Sequence, residues 1–108
     1  MANLRLAVPL PHLDLVQLMA HARCVLPDSG GIQEETTALG VPCLTLRENT
    51  ERPITVSRGT NRVIGVDPAA IYAHWRSAAD GPWPTGELPE LWDGQAARRI
   101  VSILLATS

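Results

Sequence analysis

Four short apolar runs, separated by segments carrying helix start and stop signals, constrain this chain more than any other feature. The runs are LRLAVPL (residues 4–10), CVLP (24–27), VPCLTL (41–46) and RVIGV (62–66). None alternates apolar with polar residues, so each reads as a strand buried on both faces. Between them, DLVQLMAHA (14–22) carries Leu15, Leu18, Met19 and Ala22 at helical spacing, with Asp14 as the expected cap. SGGIQEETTALG (29–40) opens on small residues and closes on Gly40, where a helix C-cap belongs. RPITVSRG (52–59) has Pro53 at the expected first helical position and ends on Gly59. DPAAIYAHWRSAA (67–79) has an Asp-Pro helix start. Residues 80–89, rich in Pro and Gly, read as loop, and GQAARRIVSILLATS (94–108) reads as a terminal helix.

Alternating strands and helices imply an α/β fold with a parallel sheet, helices on both faces and right-handed crossovers. Four strands make a small sheet whose outer strand at residues 4–10 needs a neighbour, so the chain reads as the second half of a Rossmann-like domain. With three Trp, one Tyr and no Phe in 108 residues, the core is expected to come from Leu, Val, Ile and Ala. A net charge of -2 offers no electrostatic footing for nucleic acid. Cys24 and Cys43 lie in apolar runs and read as buried free thiols, and their spacing does not suggest zinc. No apolar segment is long enough to span a membrane. The first residues lack a signal-peptide cleavage pattern, so the cytoplasm is the expected compartment.

The chemistry concentrates in CVLPDSGGIQEE (24–35). DSGG also surrounds the nucleophile of trypsin-like serine proteases, but that chemistry needs a β-rich double barrel with a histidine and an aspartate in fixed roles. Here the motif leads into a helix. In an open parallel sheet, ligands bind where strands end and helices begin. Gly30 and Gly31 permit close backbone approach, the first-turn N–H groups attract an anion, and Ser29 adds a hydroxyl. A Gly-Gly before a helix is also often only a turn, and acidic residues such as Glu34 and Glu35 are favoured early in any helix. Arg52 taken alone reads as an ordinary surface arginine. The residues by themselves leave turn and anion site both open.

Taken in order, DSGGIQEE, then LGVPCLTLRENTERPITVSRGTNRVIG, resembles the non-hydrolysing UDP-N-acetylglucosamine 2-epimerases, with DSGG-x-QEE, LG-x-P, R-x-x-TERP-E and G-T at matching spacing. LDLVQLM and WDGQAARRI also look like family landmarks, and the likeness runs from about Leu4 to about Leu105. It implies part of the C-terminal domain of a GT-B architecture, two Rossmann-like domains facing across a cleft. Residues 1–108 would then be a single partial UDP-binding domain, without the N-terminal one. By the same resemblance, Ser29 and Gly30 contact the phosphates, Gly31 keeps the turn open, Glu35 accepts from the ribose hydroxyls and Arg52 pairs with the diphosphate. Leu15 stands where many relatives carry an aromatic near the uracil, so a plain apolar contact is expected there. Ile54 stands where the family usually has Glu. Arg47 and Glu48 are expected to support the loop by pairing with each other or with backbone.

The family interconverts UDP-GlcNAc and UDP-ManNAc, an isomerisation that serves cell-envelope polysaccharide synthesis. It needs no metal or nicotinamide cofactor. Its acid-base groups belong to upstream parts of the full-length enzyme, so this chain is expected to hold no catalytic residue and to be inactive alone. The expected ligand is UDP or a UDP-N-acetylhexosamine. The expected protein partner is a separate N-terminal epimerase domain or a second copy. A non-catalytic nucleotide-sugar-binding or regulatory module is the alternative reading, and a glycosyltransferase-type GT-B domain is a third that TERP and DSGG-x-QEE argue against. His12 and His21 read as surface or capping histidines, and His74 and Trp75 as packing residues.

Overall fold

The computed structural model describes residues 4–80, 83 and 88–107. Five helices and two strands occur among them: α1 (His12–Ala20), α2 (Gly30–Leu39), β1 (Cys43–Thr45), α3 (Pro53–Ser57), β2 (Asn61–Val63), α4 (Pro68–Asp80) and α5 (Ala96–Thr107). β1 and β2 are parallel, with Cys43 opposite Asn61 and Thr45 opposite Val63. Residues 24–27 flank β1 on its other side. Val25 bridges Cys43, and hydrogen bonds run from Val25 N to Pro42 O, Leu44 N to Val25 O and Leu46 N to Pro27 O. The ladder outlasts β2 through Ile64 N to Thr45 O and Gly65 N to Arg47 O. Gly65 then turns the chain at φ 75°. Three chain segments therefore form the sheet, joined through α2 and α3.

The expected fourth strand is absent. Residues 4–10 form no regular element and have no ladder partners among the described residues, and Leu6 and Val8 are 92% and 78% exposed. A strand exists only against a neighbour, and among the described residues the ladder runs only through residues 24–27, β1 and β2. Asp14 is also not the cap of α1. Pro11 holds that position and Asp14 sits in the first turn, where its charge complements the helix dipole. The other helix ends follow their punctuation. Ser29 is extended before α2, and Gly40 closes it at φ 73° with its N–H directed at the Thr36 and Thr37 carbonyls. Pro53 opens α3. Asp67 Oδ2 accepts from Ala70 N (3.2 Å) at the start of α4, which runs to Asp80. Most of the segment expected as loop, 81–82 and 84–87, lies outside the described residues. Before α5, Arg99 binds the Asp93 carboxylate and holds it below its ordinary pKa.

The core is small and half polar, which departs from the aliphatic core expected. Its apolar members are Met19, Val41, Cys43, Leu44 and Ala78. Gln33, Thr36, Thr37, Thr45, Thr55, Thr60 and Asn61 are equally buried. Cys24 and Cys43 are free thiols, half-buried and buried. Burial, and secondarily the neighbouring Cys43, pushes the Cys24 thiol up to about 11. No described helix is long and apolar enough to cross a membrane.

Candidate functional site

The site forms where residues 24–27 leave the sheet and enter α2. Ser29 is extended (φ -96°, ψ 148°) and makes no capping hydrogen bond with its side chain, so the hydroxyl is not spent on the helix. Gly30 and Gly31 are the first two residues of α2 and do not have positive φ. Neither position therefore requires glycine for its backbone conformation. A Cβ on Gly30 would lie 3.4 Å from Arg52 Cζ, whereas one on Gly31 would meet nothing within 4 Å. The Arg52 guanidinium therefore rests against the opening turn of α2, at the positive end of the helix dipole.

Arg52 reaches this place through α2 itself. Its Nε donates to Glu34 Oε1 at 2.5 Å, and its Nη1 to Glu51 O at 3.5 Å. The hydrogen bond to Glu34, reinforced by that carboxylate's charge, makes the guanidinium still harder to deprotonate than usual. Both side chains are about two-fifths exposed, so the pair contributes little stability of its own. Arg47 and Glu48 do not pair with each other. Arg47 Nη2 turns to Glu51 Oε1 (3.2 Å) and Asn49 Oδ1 (3.4 Å), while Glu48 lies over Gly65.

Glu35 faces α1. Its Oε2 is buried and accepts no hydrogen bond from the described residues, and His12 Nε2 stands 3.6 Å away. A carboxylate oxygen in that state is an acceptor awaiting a donor. His12, expected as a surface or capping residue, thus gains an acidic neighbour, while His21 Nδ1 meets Gln17 O (2.9 Å) at the end of α1 as a capping residue does. Leu15 is half-buried on α1, which packs on α2. Ile54 is exposed on α3. His74 is half-buried on α4, and Trp75 stacks at 6.2 Å from Tyr72.

Sequence reasoning missed the polar scaffold beneath these groups. Gln33 Nε2 donates to Ser29 O (3.1 Å), while its Oε1 accepts from Thr50 Oγ1 (2.5 Å) and Asn61 Nδ2 (3.0 Å). Thr50 Oγ1 accepts from Arg52 N (3.0 Å), and Thr55 Oγ1 donates to Arg52 O (2.6 Å). Asn61 Nδ2 also donates to Thr55 Oγ1 (3.0 Å), and Asn61 Oδ1 accepts from Thr45 Oγ1 (2.5 Å). A faint signal existed, because Gln33 and Thr50 lie inside the motifs and Asn61 directly precedes the RVIGV run. Among the described residues no cluster of three or more His, Cys, Asp or Glu offers a metal site.

Fold and site together define a Rossmann-like α/β protein with a cationic side chain set at a helix start after a parallel strand. The sequence pattern of the family described as UDP-N-acetylglucosamine 2-epimerase matches residues 1–105, and the chain belongs to that family. The Salmonella typhimurium UDP-N-acetylglucosamine 2-epimerase is 51% identical over 71 residues, 66% of this chain and 19% of that protein. The Bacillus subtilis one is 38% identical over 107 residues, 95% of this chain and 28% of that protein. Among solved structures, the Methanocaldococcus jannaschii UDP-GlcNAc 2-epimerase in complex with UDP-GlcNAc and UDP superposes with a TM-score of 0.76 at 36% identity, covering 91% of this chain and 26% of that one. The Neisseria meningitidis enzyme bound to UDP-GlcNAc gives 0.73 at 35% identity, covering 96% and 30%. The fold is thus part of a GT-B architecture. The chain spans between 19% and 30% of the length of these relatives.

Proposed function

We propose that this chain is the UDP-binding portion of the C-terminal domain of a UDP-GlcNAc 2-epimerase. It holds the nucleotide of UDP-GlcNAc or UDP-ManNAc and does not interconvert them alone. The observation that carries the reading is Arg52 resting against Gly30 at the start of α2. In this reading the diphosphate sits on the first-turn N–H groups of Gly30 and Gly31, with the Ser29 hydroxyl as a further donor and Arg52 neutralising charge. The Glu35 carboxylate, about a third exposed, takes the ribose hydroxyls, and Leu15 offers the uracil an apolar contact.

Epimerisation at C2 needs an acid and a base within hydrogen-bond reach of the sugar. Near the proposed diphosphate seat, Glu34 is paired with Arg52 and Glu51 with Arg47. We assign the acid-base groups to family sequence that this chain does not span, and their partner to a separate N-terminal domain or a second copy.

Calorimetric titration with UDP tests the binding. An assay of UDP-GlcNAc conversion, with and without a protein supplying the remaining family length, tests the division of labour. Binding without conversion is expected for the chain alone, and conversion restored by the partner. Conversion by the chain alone overturns the claim of inactivity, while binding that no partner turns into conversion favours a non-catalytic nucleotide-sugar module. Arg52→Ala is expected to weaken UDP by at least about tenfold and uridine far less, since charge-assisted hydrogen bonds are worth roughly 1.5–3 kcal/mol. Equal losses for both ligands would remove Arg52 from the diphosphate.

A further inference from the structure

We infer that Gln33, Thr50 and Asn61 act as one positioning unit, setting Arg52 against the start of α2 and tuning the diphosphate end of the site rather than its nucleoside end. The inference rests on the nucleotide reading above.

The hydrogen bonds close a ring that passes through the backbone of Arg52. Thr50 has one hydroxyl hydrogen. It goes to Gln33 Oε1, and the oxygen accepts from the Arg52 N–H. Thr55 gives its hydrogen to the Arg52 carbonyl and accepts from Asn61. Asn61 Nδ2 has two hydrogens, one for Thr55 and one for Gln33 Oε1. Gln33 Oε1 has two lone pairs, taken by Thr50 and Asn61. Each polar side-chain atom of the ring thus has at least one partner, and neither an amide flip nor a hydroxyl rotation leaves the ring intact. Gln33 is 0% and Asn61 2% exposed, so breaking the ring strands polar groups away from water.

Arg52 is the beneficiary. Its side chain is long and about two-fifths exposed, and would sample many rotamers if only Glu34 restrained it. Holding both its N–H and its C=O fixes the direction in which the side chain leaves the backbone. The same Gln33 side chain holds the carbonyl of Ser29 through Nε2. One amide therefore sets the spacing between the two proposed phosphate ligands, although they lie on different segments. Preorganisation of this kind is expressed in the affinity for a doubly charged group, because less ordering remains to be done on binding. No hydrogen bond of the ring reaches Glu35 or Leu15, so uridine should be indifferent to it.

The test uses UDP and uridine as calorimetric probes of the wild-type chain, Thr50→Val and Thr50→Ser. Thr50→Val removes the hydroxyl at a half-buried position, and Thr50→Ser keeps it. Thr50→Val is expected to weaken UDP about tenfold and uridine less than about twofold, and Thr50→Ser to stay within about twofold for both. In the Arg52→Ala background, Thr50→Val should cost no further UDP affinity, because the ring then has no guanidinium to aim. A folded Thr50→Val with unchanged UDP affinity, equal losses for both ligands, or additive losses in the double variant would overturn the coupling. Should Thr50→Val not fold, Asn61→Ser opens the ring from its other side and is read the same way. Wild-type protein that binds neither probe overturns the nucleotide reading and the coupling with it. Wild-type binding with an indifferent Thr50→Val overturns the coupling alone.

Discussion

At the centre of the molecule Gln33, Thr36, Thr45 and Thr55 are fully buried, while towards its ends Leu6 and Leu105 are 92% and 71% exposed. The centre is polar and closed, and the ends are apolar and open. α5 has no buried residue, although Ile100, Val101, Ile103, Leu104 and Leu105 all lie on it. Burial here follows connection rather than hydropathy. Gln33, Thr36, Thr45, Thr55 and Asn61 have partners on β1, β2, α2 and α3, and a buried polar group that is hydrogen-bonded is tolerated, while the buried hydroxyls of Thr37 and Thr60 find no partner among the described residues.

Perturbing the centre should therefore cost much and perturbing the ends little. Gly59→Ala is the most severe test. Its Cβ would fall 2.3 Å from Thr37 Oγ1 and 2.6 Å from the Thr55 carbonyl, and neither a β-branched side chain nor a backbone oxygen yields easily. A loss of about 3 kcal/mol in denaturant unfolding is expected. A loss below about 1 kcal/mol would mean that the centre adapts more readily than its contacts imply. Asn61→Ala opens the polar ring and leaves Gln33, Thr45 and Thr55 short of partners, for about 2 kcal/mol by the same measurement. At the other extreme, Ile103→Ser on α5 should change stability by less than about 0.5 kcal/mol. A larger loss would show that this end is covered in solution.

The last test concerns Cys24, whose effect shows only at high pH. Its thiol is raised from 9.0 to about 11 by burial and then by Cys43. A raised folded value means that the fold disfavours the thiolate. The contribution is thus fully present below pH 9.0 and lost as pH rises through about 11. Unfolding midpoints measured across that window should fall more steeply for the wild type than for Cys24→Ser. Parallel slopes would place Cys24 in open solvent.

Legibility divided along the same line. The helices were readable because their signals are local: Gly40 in the left-handed region, Pro53 at a first position, Asp67 before Pro68. The Ser29–Gly31 turn and the acidic residues after it were readable for the same reason. Residues 4–10 misled because an apolar run states a propensity to pair without naming the neighbour, and here the neighbour is not among the described residues. Asp14 misled by one turn because Pro11 and His12 already start the helix. Gln33, Thr50, Thr55 and Asn61 looked unremarkable because a polar residue reads as surface until its partners are known.

By itself, the order of residues determined the α/β class, the family and the helix start on which the proposed nucleotide would sit, since each depends on short-range spacing and motif order. Only the tertiary structure decided that Arg52 lies on Gly30, that Glu35 turns a buried oxygen towards α1, and that a ring of amides and hydroxyls holds Arg52 by its own backbone. Those facts join segments distant in sequence. Hydrogen-bond geometry between them exists only once β1, β2, α2 and α3 have packed.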